Sequence, residues 1–324
     1  MLVIVAPGQG AQRPGMLAPW AALPLSGELL RNAGLILGAD LLRLDRDASS
    51  ATRYAQELLV ALGHAGWCEL VADRPRTPHA VAGHSVGELT VAAVGGAMAA
   101  DDALRVTRRR AEAMRAAAAS APGGLLAVTA VGRPRPTAGE PLTDAAREID
   151  DLVARAATSG LSVSVVNGPS QIVLGGPDSG LERFVAAHRA DGSRRTRLTR
   201  LDVDGAFHTH AMASAASEVE TRVAELPPGP NRPLPVYVRG ADGRPVDGPA
   251  LVASLPAQVA SPVRWDLVMA RLADIGATGV LELPPAGTLT ALVSRAHPQV
   301  DTFALRAPAD LAAARDFVDD HLHR

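Results

Sequence analysis

The chain has 324 residues, 47% hydrophobic and 20% charged, with 32 basic against 34 acidic side chains and a formal net charge of −2. That length exceeds one average domain and that apolar share builds a substantial core, so one large domain with an insertion, or two domains, is expected. The near-neutral balance excludes the strongly basic footprint of a nucleic-acid binder, and every basic side chain is an arginine, a bias that reads as GC-rich coding rather than function.

Met1 runs straight into the apolar strand Leu2-Val3-Ile4-Val5-Ala6. No basic segment precedes it and no apolar run reaches the ~18 residues of a membrane span, so no signal peptide and no membrane contact are expected. The strand ends in Pro7-Gly8-Gln9-Gly10-Ala11-Gln12. A dinucleotide fingerprint needs a glycine where Arg13 stands and an acidic residue about 20 positions on, and both are missing. What remains is a loop of small residues whose backbone amides can face a ligand or anion. From about residue 21 to 73 the pattern is helical, with Gly34, Gly38 and Gly63 as punctuation and Arg53 to Leu70 at helical spacing. Cys68 within it is the single cysteine, which excludes a disulfide scaffold and fits a reducing cytoplasm.

Pro75 and Pro78 break the chain before Ala80-Val81-Ala82-Gly83-His84-Ser85-Val86-Gly87-Glu88. An apolar run, then Gly-x-Ser-x-Gly, then an Ala/Val-rich helix from Val86 to Ala100 is the pattern of a nucleophile elbow, which holds a serine hydroxyl out at a sharp strand-to-helix turn. The pentapeptide alone is common in Gly/Ser-rich loops; the flanking elements make Ser85 a candidate nucleophile. A second helix follows, with Asp101 placed as its cap and arginines at 105, 108, 109, 110 and 115. A run of arginines usually marks a solvated helix face. Three in a row cannot share one face, so one should turn inward, where a guanidinium makes a carboxylate site.

From about 125 to 203 the order is strand (125–131), helix (143–157), strand (162–166), strand (171–174), helix (181–189), strand (196–203). This β-α-β-β-α-β order is the split βαβ, or ferredoxin-like, unit, read as a small domain inserted after Pro122-Gly123-Gly124. Gly205-Ala206-Phe207-His208-Thr209-His210 follows it, and His208 is the best candidate base for Ser85, because a hydroxyl nucleophile needs a neighbouring imidazole. The same His-Thr-His also permits a metal reading, for which no third ligand cluster is found, and a plain loop histidine. Strands at 235–239, 279–283 and after Asp301 alternate with helices at 251–259, up to about 275, and after Gly287, which makes a parallel sheet natural for the large domain. The expected division is 1–124 with 204–324 as an α/β domain, and 125–203 as the inserted one.

Several stretches together resemble one family, the malonyl-CoA:acyl-carrier-protein transacylases, which include the acyltransferase domains of fatty-acid and polyketide synthases. They are Pro7-Gly8-Gln9-Gly10-Ala11-Gln12, Gly83-His84-Ser85-Val86-Gly87-Glu88, Arg110 with Met114, Asn167-Gly168-Pro169, Ala206-Phe207-His208-Thr209 with Met212, Gln258 with Ser261-Pro262-Val263-Arg264-Trp265, and Gly287-Thr288-Leu289. The resemblance implies an α/β-hydrolase-like large domain and an acyltransferase with Ser85 as nucleophile and His208 as base. It implies that the backbone carbonyl of Gln258 orients the imidazole, that the amides of Gln9 and Val86 form the oxyanion hole, and that Arg110 grips a malonyl carboxylate. Asn167 and Phe207 match substrate-binding positions, and Phe207 and Val86 resemble malonyl-selective members. The implied substrates are an acyl-CoA and the phosphopantetheine thiol of an acyl carrier protein, with no permanently bound cofactor or metal. The carrier is typically acidic, so Arg194, Arg195, Arg197 and Arg200 are candidates for its docking surface, or equally a solvated strand edge. Two departures, Gln56-Glu57 for Gln-Pro and Pro284-Pro285-Ala286-Gly287 for a Gly/Pro turn, point to a divergent member. A pathway-specific transferase of another acyl group between carrier proteins, a thioester hydrolase and a catalytically silent scaffold are the competing readings.

Overall fold

A computed structural model describes residues 1–48, 53–130, 143–190, 196–227 and 235–323. The chain is mixed α/β and builds two sheets. The strands are β1 (Leu2–Ala6), β2 (Ala80–Gly83), β3 (Gly124–Ala130), β4 (Ser162–Gly168), β5 (Gln171–Gly176), β6 (Thr196–Arg200), β7 (Val236–Val238), β8 (Pro245–Val246), β9 (Val263–Arg264), β10 (Gly279–Glu282) and β11 (Asp301–Ala304).

The first sheet has the order β11-β10-β1-β2-β7-β8 and is parallel except for the β7–β8 pair. β1 lies at its centre, and all five of its residues are fully buried. Leu2, Ile4 and Ala6 join one apolar cluster and Val3 and Val5 another, so both faces of the sheet are covered. A parallel strand with helices on both faces reads as a continuous apolar run, which is what Leu2–Ala6 is.

The second sheet has the order β6-β3-β5-β4-β9, antiparallel save for β4 with β9. Leu126 and Val128 of β3 pack against Leu152, Ala156, Leu181 and Phe184 of the helices Thr143–Thr158 and Asp178–Ala190. Leu125 and Ala127, on the opposite face, pack with Val263 and against Phe207. β9 comes from outside residues 125–203, so the second sheet is not built from that segment alone.

Several element boundaries differ from expectation. The helix after Ser85 is Gly87–Gly95 and stops well short of Ala100, because Gly96 takes a left-handed conformation (φ 82°) that closes it. The next helix, Ala100–Ser120, starts two residues early; Asp101 and Asp102 lie inside its first turn, where they favour the helix dipole, and Ala99 rather than Asp101 occupies the cap. β6 ends at Arg200 rather than Val203. Among the described residues no helix is long and apolar enough to cross a membrane.

Candidate active site

β2 delivers Ser85 into a turn so tight that side chains are excluded on both sides of it. A Cβ on Gly83 would lie 2.1 Å from the backbone nitrogen of Glu88, and one on Gly87 2.2 Å from the carbonyl oxygen of Ala6. Ser85 itself takes φ 55°, a left-handed conformation that costs a non-glycine residue ~1–3 kcal/mol. His208 has φ 59°. These are the two non-glycine residues with positive φ among the described residues, and their side chains meet, with Ser85 Oγ 2.7 Å from His208 Nε2.

The histidine loop is tied on both sides. Thr209 Oγ1 donates to the Ala206 carbonyl at 2.6 Å, and Ser164 Oγ on β4 donates to the Phe207 carbonyl at 2.8 Å. His208 Nδ1 lies 3.0 Å from the backbone carbonyl of Gln258. A carbonyl only accepts, so Nδ1 carries the proton and Nε2 is left to take one from the serine hydroxyl. Burial, followed by the nearby Arg110 guanidinium, pushes the imidazole down to about 3, which leaves it neutral as a base must be. His210 is exposed while His208 is buried, so the pair does not face a common ion.

Of the three consecutive arginines, Arg108 and Arg109 are exposed and pair with Glu112 and Glu218, while Arg110 is 3% exposed. One arginine turns inward, as the helix geometry requires. It donates to Gln56 Oε1 at 2.5 Å, to Gln258 Oε1 at 3.1 Å and to Ser85 Oγ at 3.2 Å. Burial draws its pKa down to about 10, opposed by the charge of Glu88, and the guanidinium stays charged at neutral pH. Among the described residues no carboxylate lies within ion-pair distance of it. A buried cation held by neutral acceptors is poorly compensated, and it is open to a carboxylate brought in from outside.

The Pro7–Gln12 loop lies against the elbow, since a Cβ on Gly8 would sit 2.5 Å from the His84 carbonyl oxygen. Val86 is buried at the start of the elbow helix and Gln9 is half-buried. Among the described residues neither backbone amide donates to a protein acceptor. Asn167 Oδ1 is 3.0 Å from His84 Nε2, and Asn167 Nδ2 donates to Gln171 at 2.9 Å, so this residue joins the elbow to the second sheet. Phe207 is half-buried over the Leu125–Val173 face. Arg197 and Arg200 are exposed, with Arg200 paired to Asp178; Arg194 and Arg195 lie outside the described residues.

Sequence reading alone gave Gln56 no role, although its side chain holds Arg110. Its only sequence signal was an apparent departure, Glu57, at the next position. Glu88 stands in the elbow motif, and that motif assigns it no task. The structure places its carboxyl on Gln258 and on the backbone of Gly240.

Three relatives set this geometry in context. A malonyl CoA-acyl carrier protein transacylase of Mycobacterium tuberculosis is 34% identical over 322 residues, spanning 96% of this chain and 98% of its own. The crystal structure of a transacylase from the same organism superposes with a TM-score of 0.82 at 31% identity, covering 97% of this chain and 99% of its own. An acyl-carrier-protein S-malonyltransferase of Burkholderia pseudomallei gives a TM-score of 0.84 at 28% identity, with coverage of 97% and 99%. The profile for the acyl transferase domain matches residues 3–309, and the chain belongs to that family.

Proposed function

We propose that the protein transfers a malonyl group from coenzyme A to the phosphopantetheine thiol of an acyl carrier protein, through a malonyl ester on Ser85. The observation that carries this reading is Arg110, a buried guanidinium 3.2 Å from the Ser85 hydroxyl with no carboxylate partner among the described residues. The free carboxylate of malonyl is one methylene from the thioester carbon. A group that attacks one end of it therefore needs a cation close to the nucleophile, and arginine supplies a two-pronged one.

In the first half-reaction Ser85 Oγ attacks the thioester carbonyl while its proton passes to His208 Nε2. Nδ1–H stays on the Gln258 carbonyl, which stabilises the imidazolium that forms. Charge builds on the carbonyl oxygen, which the amides of Gln9 and Val86 receive. The C–S bond then breaks and the coenzyme thiol leaves with the proton from His208. In the second half the carrier thiol gives its proton to His208, attacks the ester and is acylated, and Ser85 Oγ recovers the proton. Asn167, through His84, and Phe207 line the acyl side of the pocket in this reading.

The same proposal divides the chain at 1–124 with 204–324 and 125–203. The large part is read as α/β-hydrolase-like. The order β6-β3-β5-β4, with every neighbouring pair antiparallel, supports the ferredoxin-like reading of the small part. A cleft between two such parts shields the ester from water. The exposed Arg197 and Arg200 are offered as part of the surface for an acidic carrier.

Intact mass after exposure to malonyl-CoA tests the reading. A malonyl adduct is expected on the wild type and absent in Ser85→Ala, and carrier thiol is expected to remove it faster than water does. Release of free malonate ahead of carrier loading makes the protein a hydrolase, and no adduct at all makes it a scaffold. Arg110→Ala is expected to lower kcat/KM for malonyl-CoA by ~10²-fold or more, and for acetyl-CoA far less. Equal losses would remove the carboxylate role.

A further inference from the structure

Glu88 lies in the first turn of the elbow helix, is 0% exposed, and takes no part in the steps above. Both of its oxygens accept hydrogen bonds: Oε1 from the amide of Gly240 at 2.5 Å, and Oε2 from Gln258 Nε2 at 2.8 Å. A carboxylate satisfies two donors at once, whereas an amide has only one oxygen to offer.

Gln258 is in turn fully committed. Its Nε2 also donates to the Ser85 carbonyl at 2.7 Å, its Oε1 accepts from Arg110 at 3.1 Å, and its backbone carbonyl holds His208 at 3.0 Å. A side-chain amide is two-faced. Turned over, it would set an NH₂ against the guanidinium and an oxygen against the Ser85 carbonyl, two repulsive contacts in a dry site. Glu88 Oε2 adds a third contact that favours the same face, an acceptor for the Gln258 NH₂. Burial pushes the Glu88 carboxyl up to about 7 and the Arg110 guanidinium down to about 10; among the described residues the two form no ion pair, yet each partly opposes that shift in the other. The acid thus supports the charge of the guanidinium without occupying it.

We infer that Glu88 is a positioning residue, whose carboxylate locks the Gln258 amide in the orientation that keeps Arg110 in register with Ser85 for a carboxylated acyl group. This rests on the carboxylate role of Arg110, and the test separates the two. In Glu88→Gln the new amide accepts from Gly240 and its NH₂ then faces the Gln258 NH₂, so either orientation of that amide carries a repulsive contact and its hold on Arg110 loosens. The expected result is a ~10- to 100-fold loss of kcat/KM for malonyl-CoA, with acetyl-CoA changed less than about threefold. Gln258→Met removes the side chain that holds Arg110, and its loss on malonyl-CoA is expected to exceed its loss on acetyl-CoA by ~10-fold or more. In the double variant, Glu88→Gln is expected to add less than about twofold to Gln258→Met, as required if it acts only through that side chain.

Additive losses, or equal losses on both thioesters, overturn the proposal. Should Glu88→Gln not fold, Gln258→Met decides alone, because an unchanged malonyl-to-acetyl ratio there leaves Glu88 nothing to act through. Arg110→Ala runs beside them. If it discriminates malonyl from acetyl while Glu88→Gln does not, the positioning role falls and the grip stands. If it does not discriminate, both fall.

Discussion

Ser85 and His208 share a left-handed backbone and a hydrogen bond, so the pair proposed to react is also the strained pair. Strain of this kind persists only where surrounding contacts over-determine it. Here Gly83 and Gly87 fix one partner, and Thr209 and Ser164 fix the other. The imidazole is held neutral by burial and by Arg110 to about 3, well below its ordinary value of 6.5. Nε2 is therefore unprotonated at every pH where the enzyme is assayed, and the fold is weakened only below about 6.5, where the unfolded chain takes up a second imidazole proton that the folded one refuses. Acylation by acetyl-CoA, followed as a burst of free thiol, is expected to stay within about threefold from about pH 8 down to about pH 5. An acid limb near the ordinary histidine value would show that the imidazole is not held in this way. Ser85 and His208 were legible in the sequence from motif and loop; for Arg110 helix geometry said only that one of three successive arginines turns inward, and the family resemblance said which. Gln56 and Glu88 were not legible. Their partners lie 54 and 170 positions away along the chain, and no local pattern encodes such a meeting.

The helix Ala55–Leu70 shows what one substituted position does to an element. Gln56 reaches Arg110, while the neighbouring Glu57 is 4% exposed and its Oε2 has no hydrogen-bond partner among the described residues. Burial pushes this carboxyl from 4.5 up to about 7, with Arg115 only partly opposing. A raised acid holds its proton in the fold up to about 7 and releases it in the unfolded chain near 4.5, so stability is lost as pH rises between those values and stays lost above them. Glu57→Gln mimics the protonated form. It is expected to stabilise the protein by about 2 kcal/mol at pH 8 and by little at pH 5, read from urea unfolding at each pH. A gain independent of pH would mean that the carboxyl is not the cause. Element types were readable from period: β1 as a buried run, the 125–203 segment as its β-α-β-β-α-β order. Their ends were less so, since Gly96 closes the elbow helix through a backbone angle that the Ala/Val composition around it conceals.

At the scale of the molecule the site is where the two sheets are tied together. His84 to Asn167, Asn167 to Gln171 and Gln171 to Thr129 form a chain of side chains from the elbow to β3, and Ser164 reaches across to the histidine loop. β9 adds a backbone pairing, with Val165 opposite Val263. Two-residue strands such as β8 and β9 carry too little sequence to be read in advance, because tertiary pairing rather than propensity makes them.

The central place of β1 bears on how the chain comes to be folded at all. Leu2 pairs with Gly279 on one side and Val3 with Ala80 on the other. During synthesis this strand, wholly apolar, waits with one edge open until β10 has emerged, since closing so long a loop is slow. A chain stopped before Gly279 is expected to keep its first hundred or so residues open to protease, while one extended past Ala304 becomes resistant. Early protection in the shorter chain would show that β1 and β2 hold without β10. On this expectation the strand at the centre of the sheet is among the last to gain its second neighbour.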